Sequence, residues 1–131
     1  MKKVLCVLFC ILLAGCGQTP AERTESGMYQ QITAEEAKQI MDSGAEIIIL
    51  DVREQEEFDA GHIPNAVLLP YTQMNEQAAR VLPDKNAQIL VYCRSGRRSK
   101  IAAEALAALG YTRVYEFGGI LDWKYEIERS V

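Results

Sequence analysis

The chain is poor in the residues from which metal sites and nucleic-acid surfaces are built. It has one histidine, His62, and only one cysteine after residue 16. A His/Cys metal cluster cannot be assembled from that set, so no metal cofactor is expected. No long basic block is present and the net charge is −4, which excludes nonspecific binding to nucleic acid. No run of eighteen apolar residues occurs, so an ordinary membrane-spanning helix is excluded. No internal repeat points to a stacked-repeat architecture. What remains is a length of 131 residues, enough for one domain, with 49 % apolar residues to build its core.

The first sixteen residues stand apart. MKK is a positive start, VLCVLFCILLA is uncharged and mostly apolar, and LAGC closes the segment at residues 13–16. A charged start, a short apolar stretch and small residues before a break mark a secretory signal. LAGC resembles the lipobox of bacterial lipoproteins. That resemblance implies a signal peptide over residues 1–15, cut before Cys16, with Cys16 carrying the lipid. Cleavage would remove Cys6 and Cys10, and acylation would occupy Cys16, leaving Cys93 as the one free thiol. Neither a structural disulfide nor a resolving-cysteine relay within one mature chain is then possible. Loss of Lys2 and Lys3 makes the mature chain still more acidic, so the lipid and not charge would hold it to a membrane. Residues 17–27, GQTPAERTESG, are small and polar and read as a flexible tether. Lipidated Cys16 and tether together occupy residues 16–28, and stretched out the tether reaches roughly 35–40 Å. The folded domain is assigned to residues 29–131.

Within that domain strands alternate with helices. YQQI is a short first strand. TAEEAKQIMDSG is a helix with Thr33 and Glu36 as a capping box and Gly44 as its stop. EIIILDV (46–52) and QILVY (88–92) are continuous β-branched or apolar runs, the mark of buried strands. Between them come a short helix ended by Gly61, a strand at 66–69, and an amphipathic helix in TQMNEQAARVL closed by Pro83. A helix over 97–109, a strand in TRVYEF and a closing helical segment, ILDWKYEIERS, complete the chain. The pattern predicts an α/β fold with a parallel sheet covered on both faces. Ligands of such sheets bind beyond the carboxyl ends of the strands, where Cys93 sits.

Cys93 opens the loop CRSGRRS between the strand QILVY and the helix at 97–109. Gly96 allows a tight curl, and N–H groups from Arg94 onward can point inward as an anion nest. The helix N-terminus adds unpaired N–H groups and partial positive charge. Arg94, Arg97 and Arg98 add full charges. Such surroundings favour a thiolate at Cys93 and an anionic substrate or leaving group. A buried, inert cysteine beside a solvated basic turn accounts for the same residues less completely.

Three segments now carry a resemblance: LDVREQEEFDAGHIPNAVLLP (50–70), VYCRSGRRS (91–99) and GGILDW (118–123). In order and spacing they resemble the single-domain rhodaneses, the thiosulfate:cyanide-type sulfurtransferases. The resemblance implies a five-stranded parallel sheet with helices on both faces. It implies that Cys93 is the catalytic residue and takes a sulfane sulfur from a small anionic donor, thiosulfate or a persulfide. It implies that a thiol or cyanide acceptor then removes the sulfur, and that no cofactor is needed. Arg94, Ser95, Gly96, Arg97, Arg98 and Ser99 would bind the substrate, Arg98 with the alternative of turning into a structural ion pair. Ser99 serves either as a hydrogen-bond partner of the sulfur or as a helix cap. Phosphatases and arsenate reductases of related fold resemble C-x5-R at the loop, and here the sixth position after Cys93 is Ser99. The shorter C-x4-R spacing ends on Arg98 and suits a smaller anion.

Asp51, Arg53 and Glu57 lie near a strand end, where a structural Asp–Arg pair is favoured over a catalytic base. His62 is favoured as a turn or core histidine over a partner of Cys93, and Trp123 as core. The alanines of the helix after the loop allow close packing on the sheet. The expectation is a monomeric, extracytoplasmic sulfurtransferase anchored to a membrane through Cys16. A persulfide carrier with little turnover is the alternative, and a phosphatase is less favoured.

Overall fold

The computed structural model describes residues 28–130. The expected signal segment, Cys16 and the tether up to residue 27 lie outside the described residues. The chain runs β1 (Gln30–Gln31), α1 (Ala34–Asp42), β2 (Ile48–Asp51), α2 (Gln55–Ala60), β3 (Val67–Leu68), α3 (Met74–Val81), β4 (Gln88–Cys93), α4 (Arg97–Ala108) and β5 (Arg113–Gly119). Single 3-10 turns precede α3 and follow β5. The five strands form one sheet in the order β1-β5-β4-β2-β3, and every pairing is parallel. The predicted α/β architecture is therefore the observed one.

Strand periodicity divides the core. In β4, Ile89, Val91 and Cys93 face one side of the sheet, and Leu90 and Tyr92 face the other. The first side is filled by Leu50, Val52, Leu69, Met74 and Leu82 together with Ala102, Ala103 and Leu106 of α4. The second side receives α1 through Ala37, with Ile49, Ile63 and Phe117 around it. Helices thus cover both faces. Alanine at 102 and 103 keeps the inner surface of α4 small ahead of Leu106, so its axis can approach β4 and β5 closely. The capping box of α1 forms as read. The Glu36 N–H donates to Thr33 Oγ1 at 3.0 Å, and the Thr33 N–H donates to Glu36 Oε2 at 2.8 Å.

Two features near the carboxyl edge depart from the sequence reading. β5 runs past Phe117 to Gly119, and its register against β4 shifts between Val91 and Cys93, which brings Gly119 opposite Cys93. The closing segment expected to be helical makes only the turn Ile120–Asp122, after which Trp123 is extended. Distant contacts decide this. Trp123 packs on Phe117 and Tyr125, its indole N–H donates to the Glu126 carbonyl at 3.0 Å, and Glu128 forms an antiparallel bridge with His62. A helix would forfeit the bridge to His62.

Candidate active site

Cys93 ends β4 with its side chain toward α4, and it is 1 % exposed. The backbone turns at once. Gly96 takes φ +105°, a left-handed conformation that side chains resist, and caps α4. That turn aims the Gly96 N–H at the Cys93 sulfur, 3.0 Å away. Ser99, one turn into α4, places its Oγ 3.4 Å from the same sulfur. Burial pushes the Cys93 thiol up. The Ser99 hydroxyl and the N–H groups of Ser99, Gly96 and Ser95 more than offset this, and the thiol lies below its ordinary range. The cradle of amides read from the loop is present, and it sits at the N-terminus of a twelve-residue helix.

The arginines take different places. Arg94 and Arg97 are exposed at the rim of the loop, as is Ser95, while Gly96 and Ser99 are buried. Arg98 is turned to Glu57 of α2 through two hydrogen bonds, Nη1–Oε2 at 2.7 Å and Nη2–Oε1 at 2.8 Å. The hydrogen bond from Arg98, opposed by burial, holds the Glu57 carboxyl at about 2. The groups that most lower the Cys93 thiol are therefore neutral dipoles in contact with sulfur, with the Arg98 charge acting on it from farther off. The sixth position after Cys93, where a phosphatase-type loop carries arginine, is the buried hydroxyl of Ser99.

Asp51 and His62 do not reach the sulfur. Asp51 is fully buried. Arg53 Nη2 donates to its Oδ2 at 2.7 Å, and the Tyr92 hydroxyl donates to the same oxygen at 2.6 Å. Arg53 also donates to the Gly61 carbonyl at 2.6 Å, which ties β2 to the end of α2. His62 stacks on Phe58 with ring centroids 3.8 Å apart, and its Nδ1 lies 2.8 Å from the Phe58 carbonyl. Both are structural, as the sequence favoured.

Glu116 and Gly119 join the site although neither was among the site residues expected from the sequence. Glu116 lies on interior strand β5 and is 3 % exposed. Its Oε1 accepts from Ser99 Oγ at 2.7 Å and from the Gly118 N–H at 2.8 Å. The signal was available: Val114 and Glu116 alternate onto one face of a central strand, and a carboxylate there must be partnered. Gly119 lies against the loop itself, since a Cβ at that position would overlap the Arg94 carbonyl and the Ser95 nitrogen. No local pattern announces that contact.

A strand-ending cysteine under a ring of amides, on a five-stranded parallel sheet, defines a class of anion-handling thiol proteins. The family model described as "Rhodanese-like domain" matches residues 33–126, and the chain belongs to that family. It is 40 % identical over 73 residues to the thiosulfate sulfurtransferase PspE of Escherichia coli K12, covering 56 % of this chain and 70 % of that protein. It is 36 % identical over 99 residues to YrkF of Bacillus subtilis, named a putative sulfur carrier protein, covering 75 % of this chain and about half of the relative, 52 %. A solved structure described as a rhodanese with anions, from E. coli, superposes with a TM-score of 0.59 at 35 % identity, covering 63 % of this chain and 96 % of the other.

Proposed function

We propose that this protein is a sulfurtransferase that moves a sulfane sulfur from thiosulfate or a similar donor to a thiophilic acceptor through a persulfide on Cys93. The observation that carries this reading is the Cys93 sulfur at the floor of the loop, 3.0 Å from the Gly96 N–H and acidified by its neighbours. The thiolate attacks the outer sulfur of thiosulfate. The S–S bond of the donor breaks, and sulfite leaves with the bonding electron pair. Cyanide or a thiolate acceptor then attacks the outer sulfur of the persulfide and restores the Cys93 thiolate. Two displacements at one nucleophile make the kinetics ping-pong.

The loop amides are aimed where negative charge gathers in both steps, on the inner sulfur and then on the outer one. Arg94 and Arg97, exposed at the rim, attract the dianionic donor and face its sulfonate end. Arg98, engaged by Glu57, supports the loop from behind.

The similarity to YrkF favours a second reading, in which the domain carries a persulfide for a partner and turns over slowly. Thiocyanate formation from thiosulfate and cyanide separates the two. An enzyme gives sustained turnover that Cys93→Ser abolishes, and a carrier gives no more than one equivalent. The chain's anchoring belongs to the same proposal. LAGC behind a charged start and an apolar run supports lipidation of Cys16 and an extracytoplasmic, membrane-held domain. Metabolic labelling with a radioactive fatty acid tests it, and label that persists in Cys16→Ala would remove the lipid from the account.

A further inference from the structure

The proposed reaction leaves one buried charge next to the sulfur unused. Ser99 Oγ has a single proton and four neighbours: Glu116 Oε1 at 2.7 Å, the Gly96 carbonyl at 3.0 Å, the Gly118 carbonyl at 3.3 Å and Cys93 Sγ at 3.4 Å. Of the three oxygens, the carboxylate is the closest and the only one that carries a full charge, so it takes the proton while Cys93 is a thiol. The Gly118 N–H, 2.8 Å from the same carboxylate oxygen, fixes that oxygen in place. The Ser99 lone pairs then face the sulfur and accept its S–H.

A thiolate reverses this preference. It needs the Ser99 proton, and the proton can reach it by rotation about the Cβ–Oγ bond with no heavy atom moving. We infer that Glu116 is a positioning residue for Cys93, competing with the sulfur for the Ser99 proton and so setting the balance between thiol and thiolate. This inference rests on the reading that Cys93 is the reacting sulfur. Once a persulfide forms, the charge moves to the outer sulfur, away from Ser99, and the hydroxyl returns to Glu116. Glu116 thus opposes the bare thiolate more than the loaded form.

The charged and titratable groups around this pair are few. Cys93 faces Glu116 and Ser99 from β4, and Arg98 comes from α4 already engaged by Glu57. Arg94 and Arg97 stand exposed on the loop, and three tyrosines, Tyr29, Tyr71 and Tyr111, belong to or pack on the core cluster that holds Cys93. Glu57 is neutralised by Arg98, whereas Glu116 brings its negative charge onto Ser99 itself, within about 6 Å of the sulfur along the Ser99 contacts.

The test is the pH dependence of Cys93 alkylation by iodoacetamide in the full chain, read by mass on the tryptic peptide of residues 86–94. Wild type, Glu116→Gln, Ser99→Ala and the double variant are compared from about pH 5 to about pH 10. Gln keeps the size and the acceptor oxygen but not the charge. The midpoint should fall by about one pH unit in Glu116→Gln and by less when Ser99 is already alanine. A midpoint unchanged in a Glu116→Gln protein with wild-type circular dichroism would overturn the inference, since a merely structural carboxylate would leave it there. Should Glu116→Gln fail to fold, Glu116→Asn is read in its place: a lowered midpoint supports the competition for the Ser99 proton, and an unchanged one refutes it. The assay contains no sulfur donor, so failure of sulfur transfer and failure of this inference are read separately.

Discussion

Replacing Gly119 by alanine sets the sheet against the loop that holds the sulfur. The backbone of Gly119 is extended, at φ −130° and ψ 158°, so alanine adopts it without strain. The whole cost is contact. The added methyl would overlap the Arg94 carbonyl and the Ser95 nitrogen, and both are backbone atoms that no rotamer change can move aside. Forcing a methyl into such a site costs about 1–3 kcal/mol. For a domain of this size that is a drop in Tm of roughly 5–20 °C. The loop must also lift, and the Gly96 N–H leaves its 3.0 Å contact with Cys93. Losing one hydrogen bond to a charged group costs about 1.5–3 kcal/mol, so the thiol should rise by roughly one to two pH units. A thermal melt by circular dichroism measures the first effect, and the pH profile of Cys93 alkylation measures the second. A Gly119→Ala protein with wild-type Tm and an unmoved alkylation midpoint would show that the loop does not rest on the sheet as described.

Other perturbations probe the supports of the site. The Glu57 carboxyl, held at about 2 by the hydrogen bond from Arg98, contributes stability that is fully present above its ordinary value near 4.5 and is lost as pH falls toward 2. Screened by partial exposure, the contribution is about 1–2 kcal/mol, so urea unfolding should show a shallower loss between about pH 5 and pH 2 in Glu57→Gln than in wild type. Tyr92→Phe removes the hydroxyl that donates to Asp51 and accepts the Ile63 N–H, leaving two buried groups short of a partner. A loss of about 2–4 kcal/mol in urea denaturation is expected, and a loss below about 1 kcal/mol would contradict the network. Cys93 is the free cysteine among the described residues, and its thiol lies below the ordinary range. Peroxide should therefore carry it to sulfinic acid, a loss of thiol that dithiothreitol does not reverse, whereas full recovery of the thiol would show that oxidation stops earlier.

Local physics made the main frame readable. EIIILDV and QILVY are buried on both faces of a parallel sheet, so their apolar runs are continuous and announce strands without alternation. Thr33 and Glu36 signal a helix start because both partners of the cap lie within one turn. Cys93 and Gly96 were readable for the same reason: strand end, curl and helix start lie within a few residues. The closing segment was not, because Trp123 and Glu128 choose partners in β5 and at His62, far away in sequence. A structural ion pair was an alternative already open to Arg98 in the sequence, but its partner was not legible: Glu57 lies on α2, far away in the chain, while Arg94 and Arg97 stay in solvent. Glu116 lies within the strand read from TRVYEF, but its partner Ser99 is far away in sequence, and Gly119 makes a contact that arises when a register shift sets it opposite Cys93.

The measurement that bears most directly on the central claim is the intact mass of the protein after incubation with thiosulfate, for wild type and Cys93→Ser side by side, followed by cyanide. Covalent transfer through Cys93 predicts a gain of one sulfur, about 32 Da, on wild type alone, removed again by cyanide. No gain on folded wild type with its Cys93 thiol reduced would contradict a Cys93 persulfide formed from thiosulfate, and an equal gain on Cys93→Ser would place the sulfur elsewhere.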